Sequence, residues 1–335
     1  YGLEWAAGSL NEGSADLFSV ALYGDPALGE YAGPGFAAGA SVRDVDADRR
    51  CPDDLYGEVH RDGLIWGSLG WNMISDPLLG SIPAATVAYG AALLWPSDIS
   101  WSVAAETLLE SADALLDSGA FTTAQRDAVR AHAEAAGIVD CERVIALDGG
   151  AQPVLLLVNG GLSGEFGRVP AGAQLSLTAP TGARRLRFRV REFRANSTEI
   201  GWALYVRRGG PILHEISSIF GFDFPVPATY DFVVEGEGDG FDLVLDDASA
   251  PALEPGATYY FSIASTNLGG LPPLQFANAE ITLAGDVVVD EAGDDDDSAD
   301  GDGPGDGCAA CGASLAPIAP AAALWLPILL LRRRR

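Results

Sequence analysis

The hydrophobic period of this chain changes near residue 150, and that change limits what the chain can fold into. Before it, apolar residues recur at helical spacing. SLNE at 9–12 matches a capping box, and LFSVALY supplies a helix body behind it. DGLIWGSLGWNMI (62–74) reads as a buried helix, and Leu108, Leu109, Ala112, Leu115 and Leu116 step at helical spacing up to a stop at Gly119. TTAQ at 122–125 opens a further helix that ends at Gly137. After it, LRFRVREF, GWALYVRRGG, YDFVVEGEG, FDLVLDD, ATYYFSIAS and AEITLAG are short alternating or β-rich runs separated by Gly, Pro, Asp and Asn. That texture predicts an antiparallel β-sandwich over 150–285, following a mainly helical domain over 1–148.

The C-terminal end reads differently again. Residues 286–307 carry ten carboxylates and little apolar surface, which predicts an extended, self-repelling acidic linker. Cys308 and Cys311 follow in CAAC, then an apolar run from Leu315 to Leu331, then RRRR. Seventeen residues as a helix reach about 25 Å, slightly less than a bilayer core of about 30 Å. The arginines would hold that end in the cytoplasm and leave the body outside, so 308–335 is expected to be a short transmembrane tail. The fold class expected is therefore multidomain: helical lobe, β-sandwich, acidic disordered linker and membrane tail.

Charge and composition exclude several functions. The net charge is −27, a field that repels phosphate backbones and argues against a nucleic-acid partner. All 20 basic residues are arginine, so neither a Schiff-base lysine nor a P-loop lysine exists. The three histidines are His60, His132 and His214, none spaced as a metal pair on one helix turn. His132 reads as a surface residue, and His214 has no visible partner. The chain opens on Tyr1 with no leader in front of it, and is read as a fragment or mature remnant. Cys51 and Cys141 are the only cysteines in the body. In an exported chain they would form a disulfide, and otherwise two buried thiols. Asp44, Asp46 and Asp48 alternate as calcium-loop ligands do, but Arg50 stands where the loop glycine belongs. They are either a calcium site or a solvated acidic loop.

Glu12 and Asp16 lie one helical turn apart. By spacing alone Glu12 is a capping-box residue and Asp16 a partly exposed one. GSLNEGSADLFSVALYGDP, however, resembles the segment of thermolysin-like and fungalysin-like metallopeptidases that carries the third zinc ligand. That resemblance implies Glu12 as a zinc ligand and Asp16 as the carboxylate behind a ligand histidine. GEVHRDGLIWGSLGWNM (57–73) is similar to the family's segment whose histidine donates to the oxyanion, which implies that role for His60. An aspartate shortly ahead orients that imidazole in the family; Asp53 and Asp54 are the candidates, at looser spacing. The helices over 121–138 and the AAETLLESADALLD before them resemble the family's closing helices.

The departure is HExxH, whose histidines bind zinc and whose glutamate activates water; the motif does not occur here. In the family it precedes the segment that opens this chain, so the histidines are expected outside it and the chain alone is expected to be inactive. The β-rich part resembles pre-peptidase C-terminal domains through ALYVRRGGPI and PGATYYFSIAS. NST at 196–198 is a glycosylation pattern. The tail resembles the myxobacterial C-terminal sorting signal, which implies export, transient membrane contact, processing at Cys308 and Cys311, and surface display. The expected whole is a monomeric zinc endopeptidase acting on protein or peptide. The rival is a non-enzymatic cell-surface binding protein with a degenerate peptidase lobe.

Overall fold

A computed structural model describes residues 5–30, 41–97, 99–147, 153–159, 169–189, 192–195, 200–219, 222–237, 242–267, 278–284 and 288–291. Among the described residues are five α-helices: α1 (Trp5–Tyr23), α2 (Val59–Ser75), α3 (Ser81–Ala92), α4 (Trp101–Asp117) and α5 (Thr123–Ala135). Sixteen strands accompany them, and the fold is mixed α and β.

Strands β1 (Ala27–Leu28) and β2 (Arg43–Asp44) form a small antiparallel pair and belong to a separate unit. Every other described element lies in a unit made of residues 1–26 and 45–294. The helices and the later strands are thus one unit and do not part at residue 148. The physical reason is twofold. Strand β3 (Val144–Ala146), which closes the helical half, pairs in parallel with β6 (Gln174–Thr178). The core also runs without a break from Trp66, Leu69 and Leu108 on the helices to Leu175, Phe188 and Phe261 on the strands.

The main sheet runs β12 (Phe232–Glu237), β9 (Ile200–Arg208), β14 (Thr258–Asn267), β6, β3, with β5 (Val169–Pro170) also on β14. Three-stranded sheets join β13 (Asp242–Asp246), β7 (Ala183–Arg189) and β16 (Val288–Glu291), and β4 (Pro153–Asn159), β15 (Asn278–Ala284) and β8 (Glu192–Ala195). Strands β10 (Leu213–Ile219) and β11 (Phe222–Thr229) form a hairpin. The β3–β6 pair is the one parallel pairing among the described strands; the rest are antiparallel, as the alternation predicts. Phe188 of β7 stacks on Phe261 of β14 at 4.4 Å and 9°, which packs the β7 sheet against the main one. Such a pair adds about 1 kcal/mol beyond its buried area.

Three corrections concern local structure. Helix α1 begins at Trp5, so Ser9 and Glu12 are interior residues and not a capping box. The apolar WAAGSL ahead of them continues the buried face, with Ala6, Ala7 and Leu10 in the core. Helix α3 is an element that the apolar spacing did not single out. Val288–Glu291, expected in the acidic linker, forms strand β16 in register with Arg187 and Leu186 of β7. The α5 start was legible: Thr122 and Gln125 form a reciprocal capping box.

Among the described residues no helix is long and apolar enough to cross a membrane. The linker after Glu291, Cys308, Cys311, the apolar segment, the arginine tail and the NST pattern lie outside the described residues.

Candidate functional site

The site begins with glycines. A Cβ at Gly13 of α1 would overlap the carbonyl oxygen of Gly63 on α2 and stand 2.9 Å from Trp66 Cβ. A Cβ at Gly63 would stand 2.9 Å from Ser9 O and 3.0 Å from Gly13 N. Without side chains at these two positions, the backbones of α1 and α2 come almost into contact. Leu17 fills the space beside Gly70 in the same way, and Leu10, Leu17, Trp66 and Met73 bury the seam around it.

That close approach sets Glu12 beside the first turn of α2. Glu12 Oε2 lies 3.4 Å from His60 Nε2, with the two side chains 33% and 48% exposed. The pair is open to solvent on one side and held by two helices on the other. Asp16 is buried at 4% exposure, one turn deeper on α1, and its Cβ lies close to Gly67. The two residues that the resemblance implies as ligand and oxyanion donor are therefore neighbours.

His60 is aimed by Glu58. The Glu58 carboxylate caps α2, accepting from the backbone N–H of His60 at 3.1 Å and of Arg61 at 2.9 Å. Its Oε1 also lies 2.6 Å from His60 Nδ1. An ionised carboxylate only accepts, so Nδ1 carries the proton of this bond. Burial raises the Glu58 pKa more than any other single influence. The bonds from His60 and Arg61 together outweigh it and hold the carboxyl below its ordinary value. Asp54 does not take this part. It binds Arg49 Nη1 at 2.8 Å and the Arg50 amide at 2.8 Å, closing its own turn before the chain reaches Glu58. Glutamate is not a favoured cap residue, and Glu58 is followed by Val-His-Arg-Asp, so the sequence offered no local signal for this role.

Behind the pair lies a buried charged group that the sequence did not indicate. Asp62 is 3% exposed and accepts from the amides of Tyr56 at 2.7 Å and Gly57 at 3.0 Å. Burial pushes its pKa up to about 6, against the opposing pull of those amides and of Arg143. Burial likewise lowers Arg143 to about 10, while Asp62 pulls it upward. His214, read as partnerless, sits near Arg143, and burial with that cation depresses it to about 4. His132, partly exposed on α5, has a partner: its Nε2 is 2.9 Å from Asp76 Oδ2, tying α5 to the end of α2.

Cys51 and Cys141 form a disulfide with Cα atoms 5.8 Å apart. Gly137, at φ +68, ends α5 where a Cβ would overlap the carbonyl of Cys51, and Cys51 N donates to Ala136 O at 3.0 Å. Of the aspartates in the calcium-like pattern, Asp44 lies in β2, Asp46 accepts from Trp71 Nε1 at 3.1 Å, and Asp48 pairs with Arg50 at 2.8 Å. Among the described residues, no group of three or more His, Cys, Asp or Glu side chains is placed to hold a metal ion.

No protein-family model, no curated protein and no solved structure matches this chain.

Proposed function

We propose that the chain is the C-terminal part of a thermolysin-like or fungalysin-like zinc endopeptidase. In this reading its β-sandwich is an accessory domain, and its acidic linker and tail export and display it at the cell surface. The observation that carries the reading is the 3.4 Å approach of Glu12 to His60 across a glycine-lined helix contact. Residues 48 positions apart in sequence, assigned to one reaction by resemblance, stand side by side and partly exposed.

The donor set fits a cation. With its proton on Nδ1, a neutral His60 turns the lone pair of Nε2 toward a carboxylate, and two acceptors at that distance repel. A proton on Nε2 removes the repulsion and makes His60 the donor that this reading requires. Glu12 would hold zinc together with histidines from sequence outside this chain, and Asp16 would orient one of them. Zinc, when bound, supplies Lewis acidity and lowers the pKa of water for attack on a peptide carbonyl. His60, protonated and steadied by Glu58, would donate from Nε2 to the developing oxyanion. The chain contains no HExxH, so by itself it would not turn over peptide. Calcium at the loop of Asp44, Asp46 and Asp48 remains a secondary proposal.

The test is metal content of the intact gene product. About one zinc per protein, lost in Glu12→Ala, supports the reading. Because Glu12 is no cap, the same variant should keep stability within about 0.5 kcal/mol. Zinc retained by Glu12→Ala, or a coding sequence ahead of Tyr1 without HExxH, overturns it in favour of a non-enzymatic surface-binding protein.

A further inference from the structure

The loop that aims His60 is itself held from the strand-bearing half of the molecule. Glu58 is preceded by Tyr56 and Gly57, whose amides both donate to buried Asp62. Asp62 faces Arg143, which leads into β3, and the Arg143 guanidinium donates to the carbonyl oxygen of Gly172, between β5 and β6. Gly172 also lies directly against the loop. A Cβ there would stand 2.6 Å from Gly57 Cα and 3.1 Å from Gly57 N. Arg143 further anchors β6 by accepting from Gln174 N at 2.8 Å.

Arg143 is the one described non-glycine residue at positive φ, +59. That conformation is strained for a residue with a Cβ, and such strain persists where surrounding contacts over-determine it. Here the groups that do so are a carboxylate on one side and the carbonyl of the β5–β6 connection on the other.

We infer that Arg143 and Gly172 are positioning residues for the Glu12–His60 pair, acting through Gly57 and Glu58. The β-rich half is then no detached appendage: it sets the backbone that carries the imidazole's acceptor. The inference rests on the reading above for its functional meaning, but its geometry and its test involve no metal.

The test uses the full chain, metal-free, and the imidazole ¹⁵N resonances of its three histidines. His132, bound to Asp76, is the internal control. In Gly172→Ala the added Cβ displaces Gly57, and His60 should lose its single Nδ1–H tautomer signature while His132 keeps its own. Arg143→Gln should do the same, and Arg143→Lys should restore part of it, since the charge opposite Asp62 is kept. If Gly172→Ala fails to fold, the two Arg143 variants decide. An unchanged His60, or His60 and His132 shifting together, overturns the inference. Zinc content plays no part, so failure here is distinct from failure of the peptidase reading.

Discussion

Glu12 on α1 and His60 on α2 lie 3.4 Å apart because the two helices meet backbone to backbone at Gly13 and Gly63. The relationship is steric before it is electrostatic. Any side chain at the crossing moves both functional groups at once.

Gly63→Ala should therefore destabilise the fold by about 1 to 3 kcal/mol through overpacking, although alanine favours the helix itself. The Cβ would press on Ser9 O and Gly13 N, which are backbone atoms and cannot rotate away. Urea unfolding of the variant measures the loss. A midpoint equal to that of the parent chain would mean the helices are less tightly apposed than described.

The buried charges predict opposing pH dependences. Asp62 has a folded pKa of about 6 against an ordinary 3.8, so the folded state holds that proton more tightly. Its contribution to stability is present below about pH 4 and is lost as pH rises through 6. His214 is depressed to about 4 from 6.5, so the unfolded chain takes up a proton that the folded one refuses. Its contribution is lost as pH falls from about 6.5 to 4. Asp62→Asn should leave a stability that rises with pH across this window, and His214→Gln one that falls. Urea midpoints between about pH 4 and 7 report both slopes, and identical profiles in the two variants would contradict the placement of these groups.

The disulfide closes a loop of 90 residues. In the chain-entropy model such a closure contributes roughly 4 to 5 kcal/mol. Cys51→Ser with Cys141→Ser should lower the unfolding midpoint accordingly. Reducing agent should lower the midpoint of the parent chain and leave the double variant unaffected. A parent chain insensitive to reductant even once unfolded would rule out the bridge.

Much of the candidate site was legible as residue types, and less of it as geometry. The segment around Glu12 and Asp16 stood out by its carboxylates, and His60 by standing just ahead of a buried apolar helix. Their adjacency could not be read, because it depends on where two separate helices touch. The cap at Glu58 had no local signal, since glutamate is not a favoured cap residue, and Asp62, Arg143 and Gly172 had none either. Each is unremarkable in its own stretch and gains meaning from a neighbour far along the chain.

The sequence by itself determined the helix-to-strand order, the capping box at Thr122, the antiparallel character of most strands and the cysteines available for pairing. Those features follow from periodicity and from contacts within a few residues. Tertiary structure alone decided that α1 begins at Trp5 and leaves Glu12 in mid-helix, that β3 joins the strands to the helices in one core, and that Glu58 rather than Asp54 meets the imidazole. Burial, close backbone approach and the pairing of enclosed charges are properties of surfaces brought together from distant segments, and no local pattern encodes them.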